Sequence, residues 1–123
     1  MVKTKFKPVL PSLREKKRYL VFEVISEKKV SFEQAYNAIM GTILGFMGQL
    51  NTGKAGVILL EDKWDDSSQR GMMKVGHKST DMVKSALMFI TKIGNEEVIV
   101  KSLGLSGILK KAQAKYLNAQ INV

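Results

Sequence analysis

Residues 18–26 constrain the fold of this chain more than any other stretch. They are rich in β-branched and aromatic residues, which favour an extended backbone. One of the alternating faces carries Leu20, Phe22 and Val24, and the other carries Tyr19, Val21, Glu23 and Ile25. Both faces are largely apolar. The pattern therefore predicts a central strand of a sheet, with Glu23 as its polar member.

A long amphipathic helix is predicted to follow. Ser31 precedes Gln34 by three positions, which is the spacing of a capping box at the start of a helix. Apolar residues then recur every three or four positions and define an inner face made of Phe32, Tyr36, Ile39, Ile43, Phe46, Met47 and Leu50. Residues 51–53, Asn-Thr-Gly, are expected to end this helix after Leu50.

The rest of the chain alternates between strand and helix patterns. Strands are predicted over residues 55–60, 70–77 and 97–101, and helices over residues 79–93 and 106–118. Apolar spacing predicts their inner faces, which are Met82, Ala86, Phe89 and Ile93 in the first helix and Ile108, Leu109, Ala112, Tyr116 and Leu117 in the second.

The resulting order is strand, helix, strand, strand, helix, strand, helix. This order predicts an α+β fold of split βαβ topology, as in ferredoxin-like and RRM-like domains. In this two-layer sandwich, a four-stranded antiparallel sheet carries two helices on one face. The additional C-terminal helix is expected to lie across an edge or over the open face of the sheet.

Length and composition narrow the classes of protein. The 123 residues suffice for one domain with a core of its own, so we expect a basic N-terminal arm over residues 1–9 and a single domain over residues 10–123. The chain has no cysteine, which excludes disulfides, thiolate metal sites and cysteine nucleophiles. No apolar run approaches the roughly 20 residues that span a bilayer, so a soluble, cytoplasmic protein without membrane contact is expected.

The net charge of +9 is concentrated at the two ends of the sequence. Residues 1–18 contain seven Lys or Arg and one Glu, residues 105–123 contain three Lys and no acid, and residues 19–104 are neutral. General solubility does not require this segregation, whereas binding to a polyanion such as folded RNA favours it. The alternative is that the basic ends are solvated segments without a partner.

The candidate RNA contacts are cations near these ends and on the third predicted strand. The cluster around residue 16 directly precedes the buried strand, which would hold its charges in fixed positions. The full candidate set is Arg14, Lys16, Lys17, Arg18, Arg70, Lys74, Lys110, Lys111 and Lys115.

Three glycines fall on the side of the long helix opposite its apolar face. They are Gly41, Gly45 and Gly48, and each costs a helix interior roughly 1 kcal/mol relative to alanine. Either another backbone approaches closely there, which would make the stripe a protein interface, or the helix is exposed and tolerates them.

Groups for catalysis are scarce. His77 is the only histidine, which excludes a His-pair metal site, and the Gly-x4-Gly-Lys-Ser/Thr phosphate loop is missing. The acidic residues Glu61, Asp62, Asp65 and Asp66 match no calcium-loop spacing. We therefore expect no catalytic residue, metal ligand or cofactor on this chain, and we expect the chain alone to be inactive.

An RRM-like sheet can read single-stranded RNA through aromatic side chains on its first and third strands. Here the third strand begins with Arg70 and Gly71 but carries Met72 and Met73 where aromatics belong, which leaves Tyr19 alone. Cation contacts to the backbone of a structured RNA are therefore expected instead of base reading.

Three stretches occur in the order found in a known family. They are LPSLREKKRY at residues 10–19 with VFEV at residues 21–24, the Arg70-Gly71 strand opening, and SGILKKA at residues 106–112. The first stretch is similar to the N-terminal signature of archaeal ribonuclease P protein component 2. The resemblance covers nearly the whole chain from residue 10, and residues 1–9 lie outside it.

This resemblance implies a non-catalytic subunit of ribonuclease P, the ribonucleoprotein that removes 5′ leaders from precursor tRNA. In that family the RNA performs the magnesium-dependent cleavage, and the proteins support its active fold and substrate handling. The implied partners are ribonuclease P RNA, precursor tRNA, the barrel-like protein component 3 and other ribonuclease P proteins. A homodimer or a heterotetramer of paired copies is also implied.

The residues alone leave two other functions open. A free-standing module for structured RNA, for example in ribosome assembly, would share the basic ends, although stacking aromatics are missing. A small-molecule-binding or metabolic ferredoxin-like domain would share the topology, although catalytic groups are missing.

Overall fold

The computed structural model describes residues 16–117. Within them, β1 (Lys17–Ile25) is the central strand of a four-stranded antiparallel sheet. It pairs with β3 (Arg70–Gly76) on one side and with β6 (Ile99–Ser106) on the other, and β2 (Ile58–Leu59) pairs with the outer edge of β3. The sheet order β2-β3-β1-β6 is that of a split βαβ fold, which confirms the predicted architecture.

Helices α1 (Phe32–Ala55) and α2 (Thr80–Leu87) pack together on one face of the sheet. The main core lies between these helices and the sheet, and it includes Leu20, Phe22, Val24, Ile39, Ile43, Met73, Val83 and Leu87. No helix within residues 16–117 is long and apolar enough to cross a membrane.

The start of α1 confirms the predicted capping box. The Ser31 hydroxyl accepts a hydrogen bond from the backbone N–H of Gln34, and the Gln34 side chain accepts one from the backbone N–H of Ser31. The helix does not stop at Leu50 but continues to Ala55, where Gly56 in a left-handed conformation (φ 61°, ψ 42°) caps it. The predicted strand over residues 55–60 is correspondingly reduced to β2.

The backbone of α1 breaks at Gly48. Its φ of 82° and ψ of 162° lie in a region that is essentially restricted to glycine. Thr52 is buried just beyond the break, and its hydroxyl donates a hydrogen bond to the Gly48 carbonyl over 2.7 Å. The break ends the regular phase of the helix, so the apolar spacing that predicts an inward-facing Leu50 no longer applies.

The predicted inner faces of both helices are partly wrong. Tyr36, Phe46 and Leu50 of α1 are exposed, while Ala35, Ile39, Ile43 and Met47 are buried. Of the face predicted around α2, Ala86 and Ile93 are buried, but Met82 and Phe89 are exposed. Val83 and Leu87 of α2, with Ile90 beyond its end, complete the buried side. The sequence around α2 contains two apolar repeats that are offset by one position. The repeat that includes Val83 and Leu87 faces the sheet, and the one that includes Met82 does not.

A short hairpin follows α2 and was not predicted. It consists of β4 (Lys92–Ile93) and β5 (Glu96–Glu97), and it uses Gly94 at positive φ in its turn. The hairpin displaces the last strand of the main sheet, which begins at Ile99 and not at residue 97.

The open face of the sheet is covered by the C-terminal segment. This segment consists of α3 (Leu109–Ala112) and a π-helical turn (Gln113–Leu117), where one regular helix over residues 106–118 was predicted. Its buried Ala112 and Leu117 pack on Val21 and Met72, forming a second core on this face. The predicted sandwich thus gains a partial third layer, and β1 is covered on both faces as its sequence requires.

Candidate nucleic-acid interface

The topology brings cations from distant parts of the sequence to one end of the sheet. β1 starts at this end, and β3 and β6 finish there, because Lys17 pairs with Gly76 and Tyr19 pairs with Ser106. The C-terminus of α1 and the first turn of α3 lie at the same end. We call the eight cations carried here the basic end: Lys16, Lys17, Arg18, Lys54, Lys74, Lys78, Lys110 and Lys111.

The first cations of the basic end are anchored by the start of β1. The Lys16 carbonyl accepts a hydrogen bond of 2.6 Å from the backbone N–H of His77, which joins the strand entry to the end of β3. The Lys17 amino group lies over Gly56, where a Cβ would stand 2.5 Å from the nitrogen. Gly56 caps α1, so this ammonium lies at the negative end of the helix dipole.

Arg18 connects the cations near the N-terminus of the sequence with those near its C-terminus. Its Nη1 lies 2.9 Å from the position that a Cβ would occupy on Gly107, so the guanidinium reaches the turn between β6 and α3. Lys110 and Lys111 follow that turn immediately and are exposed in α3. Cations separated by about 90 residues in sequence therefore form one continuous surface.

Lys115 in the π-helical turn extends this surface beyond the eight cations of the basic end. Lys115 is exposed, and its amino group lies 5.6 Å from the centre of the Tyr116 ring, within the range of a cation–π contact. Lys74 is half-buried and pairs across the sheet with Tyr19 on one side and Ile58 on the other.

The opposite end of the sheet is acidic. The loops and the hairpin there carry seven acidic residues, which outnumber the four lysines of the same segments (Lys28, Lys29, Lys63 and Lys92). The acidic residues are Glu27, Glu61, Asp62, Asp65, Asp66, Glu96 and Glu97. A hydrogen bond of 3.0 Å from the Ser67 backbone N–H to the carboxylate lowers the pKa of Asp65, which keeps it ionised. At the basic end, Asp81 in the first turn of α2 is the one acidic residue among residues 16–117. The net charge of residues 19–104 is zero, but the fold places most of their acidic residues at the end of the sheet opposite the basic end.

Arg70, a predicted RNA contact, is buried. Only 4% of its surface is exposed, its Nη1 donates a hydrogen bond of 3.0 Å to the Tyr116 carbonyl, and its Nε lies 3.6 Å from a Glu23 carboxylate oxygen. A guanidinium held in this way cannot present its charge to a polyanion. We therefore assign Arg70 a structural role that fixes the C-terminal segment on the sheet.

The face of the sheet that RRM-like domains use for base stacking is occupied. Tyr19 packs in the second core together with Tyr116, Leu60, Leu103 and Leu109. The C-terminal segment covers Met72, so bases have no access to the middle of this face. The expectation that cations contact the backbone of a structured RNA, and that this face does not read bases, stays a prediction.

The remaining predicted site residues lie in different places. Arg14 lies outside the described residues, as do residues 1–9. Gly41 and Gly45 are exposed, and a Cβ on either would meet no atom within 4 Å in the described part of the chain, which leaves room for a partner backbone. Gly48 is explained by the backbone of α1 itself, because the conformation at the break is essentially restricted to glycine.

Lys54 and Lys78 were not among the predicted site residues. Lys54 lies in the last turn of α1, and Lys78 follows β3. The order of the elements could have indicated both positions. In a split βαβ fold, the C-terminus of the first helix and the end of the third strand lie at the same end of the sheet. Among residues 16–117, no group of three or more His, Asp or Glu is placed to hold a metal ion.

The comparison with family models decides the assignment. The model of the Rpp14/Pop5 family matches residues 18–117, from the start of β1 to the end of the π-helical turn. The chain belongs to the Rpp14/Pop5 family. The predicted resemblance to ribonuclease P protein component 2 is confirmed.

Individual relatives agree with the family match. The chain is 33% identical over 115 residues to ribonuclease P protein component 2 of Thermococcus kodakarensis, covering 94% of this chain and 92% of that protein. It is 34% identical over 112 residues to the protein of the same name from Pyrococcus furiosus, covering 91% and 92%. For that of Methanosarcina mazei, the identity is 31% over 111 residues, covering 90% and 92%.

A solved structure shares the fold. A chain in the cryo-EM structure of yeast ribonuclease MRP superposes with a TM-score of 0.61, covering 76% of each chain at 13% sequence identity. At this identity the similarity concerns the fold alone.

Proposed function

We propose that this chain is a non-catalytic protein subunit of ribonuclease P, the ribonucleoprotein endonuclease that removes 5′ leaders from precursor tRNA. Relatives that carry the name ribonuclease P protein component 2 match more than 90% of the chain, which supports this assignment. In this proposal the chain binds ribonuclease P RNA and precursor tRNA through the basic end and supports the active fold of the RNA.

One structural observation carries the RNA-binding part of the proposal. Arg18 at the start of β1 reaches Gly107 at the start of the C-terminal segment, which merges the two basic stretches of the sequence. Each phosphate contact releases condensed counterions, so a continuous surface of several fixed cations binds folded RNA with a strong dependence on salt. The acidic residues at the far end of the sheet would orient the chain by repelling the same polyanion.

The chemistry of cleavage is assigned to the RNA. We propose that magnesium is bound with the catalytic RNA and that this chain holds no cofactor. The cations of the basic end are seven lysines and Arg18, whose N–H groups donate hydrogen bonds, and they can neutralise phosphates and position the RNA.

The chain is further proposed to assemble with other ribonuclease P proteins, among them protein component 3, and to do so as paired copies. Gly41 and Gly45 remain proposed positions of close backbone contact in that assembly, because the space above them is open. A cytoplasmic location is part of the same proposal.

A reconstitution experiment tests the function. RNA-free chain should cleave no precursor tRNA with or without magnesium. Adding the chain to ribonuclease P RNA together with the other ribonuclease P proteins should raise the rate of 5′-leader removal or lower the magnesium needed for it. Cleavage by the RNA-free chain, or no change on adding it, would contradict the proposal.

A further inference from the structure

Two isoleucines form an exposed apolar patch on the open face of the sheet, at its acidic end. Ile25 in β1 and Ile99 in β6 stand directly opposite each other in the register, and their exposed fractions are 44% and 63%. Their neighbours Val24, Val98 and Val100 belong to the main core under the helices, so by strand alternation both isoleucines face the other way. We call Ile25 and Ile99 the isoleucine pair.

The isoleucine pair borders a cleft of about 630 Å³ between the end of the sheet and the hairpin. The cleft is also lined by Lys92, Glu27 and Glu97, so its rim carries charges of both signs. Neutral amide side chains both donate and accept hydrogen bonds, which suits a rim of this kind. The cleft therefore favours an occupant with apolar side chains and uncharged polar ones.

The C-terminal segment runs toward the isoleucine pair. It starts at the basic end, where Gly107 adjoins the beginning of β1, and it crosses the open face to the point where the Tyr116 carbonyl accepts its hydrogen bond from Arg70. Arg70 pairs across the sheet with Glu23, and Ile25 lies two residues further along β1, which is about 7 Å. The described part of the chain ends one residue after Tyr116, close to the patch.

The sequence that follows has the pattern of a strand on an apolar surface. Residues 118–123 read Asn-Ala-Gln-Ile-Asn-Val, a strict alternation of polar and apolar side chains. A period of two places all the apolar side chains on one face of an extended chain, whereas a helix would scatter them. Six extended residues reach about 20 Å, so Ile121 is within range of the isoleucine pair.

We propose that residues 118–123 lie extended over the isoleucine pair, with Ile121 packed against Ile25 and Ile99. The apolar side chains of the alternation face the sheet, and the amides of Asn and Gln face the solvent and the charged rim of the cleft. Burial of the three isoleucines against one another removes apolar surface from water, which is the driving force for this contact.

The charges near the patch argue against RNA as its occupant. Seven acidic residues lie at this end of the sheet, and they repel a polyanion. A second copy of the chain is the other possible occupant, and the crosslinking test below distinguishes it. Residues 118–123 are favoured because the C-terminal segment already ends beside the patch and is followed by side chains of matching pattern.

The arrangement would hold the C-terminal segment at both ends. Gly107 against Arg18 fixes its start, and Ile121 on the isoleucine pair would fix its far end. Residues 118–123 carry no charged side chain, so they add nothing to the basic end itself. The inference is independent of the proposed function, because the experiments that test it use the full chain without RNA.

Cysteine crosslinking tests the contact directly, since the chain has no cysteine of its own. The test variant is Ile99→Cys with Ile121→Cys. The control is Leu50→Cys with Ile121→Cys, because Leu50 is 72% exposed but lies on α1, on the other side of the sheet. Both are oxidised with copper phenanthroline and analysed by mass spectrometry. The test variant should form its intramolecular disulfide at least about tenfold faster than the control.

Thermal unfolding gives a second, independent readout. Ile121→Ala should lower the Tm by about 3–6 °C, and Gln120→Ala, on the opposite side of the alternation, should leave it nearly unchanged. In an Ile99→Ala background the effect of Ile121→Ala should largely disappear, because its contact is already lost. Equal crosslinking rates in test and control would overturn the proposal, as would additive effects on the Tm. A disulfide that forms mainly between two chains would also overturn it, because a second copy would then cover the patch.

Discussion

Arg70 donates a hydrogen bond of 3.0 Å from its Nη1 to the backbone carbonyl of Tyr116, 46 residues further along the chain. The bond ties β3 to the C-terminal segment, and Glu23 on the neighbouring strand places a carboxylate oxygen 3.6 Å from the same guanidinium. This link adds to the packing of Ala112 and Leu117 that holds the C-terminal segment, with Lys110, Lys111 and Lys115, over the open sheet face.

The first prediction follows from that link. Arg70→Met should lower the free energy of unfolding by about 2 kcal/mol, because it removes a charged hydrogen bond and leaves Glu23 without its buried partner. Urea unfolding monitored by circular dichroism would measure the change. Lys28→Met, at an exposed position, should change it by less than about 0.5 kcal/mol. Equal stability of the two variants would show that Arg70 does not hold the segment.

A second prediction concerns the contact between Gly104 and Tyr116. The Tyr116 ring lies directly against the backbone of Gly104, and a Cβ there would collide with the ring. Gly104→Ala should therefore destabilise the chain by about 1–3 kcal/mol, as overpacking does elsewhere. In a Tyr116→Ala background the same change should cost much less, so a double-mutant cycle of unfolding energies gives a coupling term. Additive effects would contradict the contact.

Much of the sheet could be predicted from the sequence because strand alternation is a local signal. The pattern of residues 18–26 predicts β1 to within one residue at each end. The hairpin of β4 and β5 was missed because two-residue strands are too short to show a period. The predicted inner faces of the helices were partly wrong. Phe46, Met82 and Phe89 recur at helical spacing, as core residues do, but the sheet does not cover them and they are exposed.

The site was only partly predictable for a related reason. The charges of Lys16, Lys17, Lys110 and Lys111 are visible in the sequence, but their meeting depends on the register in which Tyr19 pairs with Ser106. Such a register is set by packing along the whole strand, including the irregularity between Val21 and Phe22. The burial of Arg70 likewise depends on where the C-terminal segment lies, which apolar spacing alone does not decide.

A third prediction separates two glycines of α1. Gly48→Ala should lower the free energy of unfolding by about 1–3 kcal/mol, because alanine cannot readily adopt the φ of 82° found there. Gly45→Ala is the matched control. It should raise stability by up to about 1 kcal/mol, since a Cβ has open space at that position and alanine favours the helix. Thermal unfolding of both variants measures the difference. Two changes of the same sign would contradict the break at Gly48.

The central claim is that the basic end contacts RNA, and a pair of charge-matched variants tests it most directly. In the first, Lys16, Lys110 and Lys111 at the basic end are replaced by alanine. In the second, Lys28, Lys29 and Lys92, which lie toward the acidic end, are replaced in the same way, so both variants lose three positive charges. All six side chains are exposed, and neither set of substitutions should change thermal stability appreciably.

The measurement is the affinity of each variant for ribonuclease P RNA at several salt concentrations. Each lost phosphate contact should reduce the slope of log K against log salt by roughly 0.7 to 0.9, so the first variant should lose about 2 to 3. The slope for the second variant should differ from that of the unmodified chain by no more than the change expected for about one phosphate contact. Equal losses in the two variants would contradict the account, because binding would then follow total charge and not the surface that the fold assembles at the basic end.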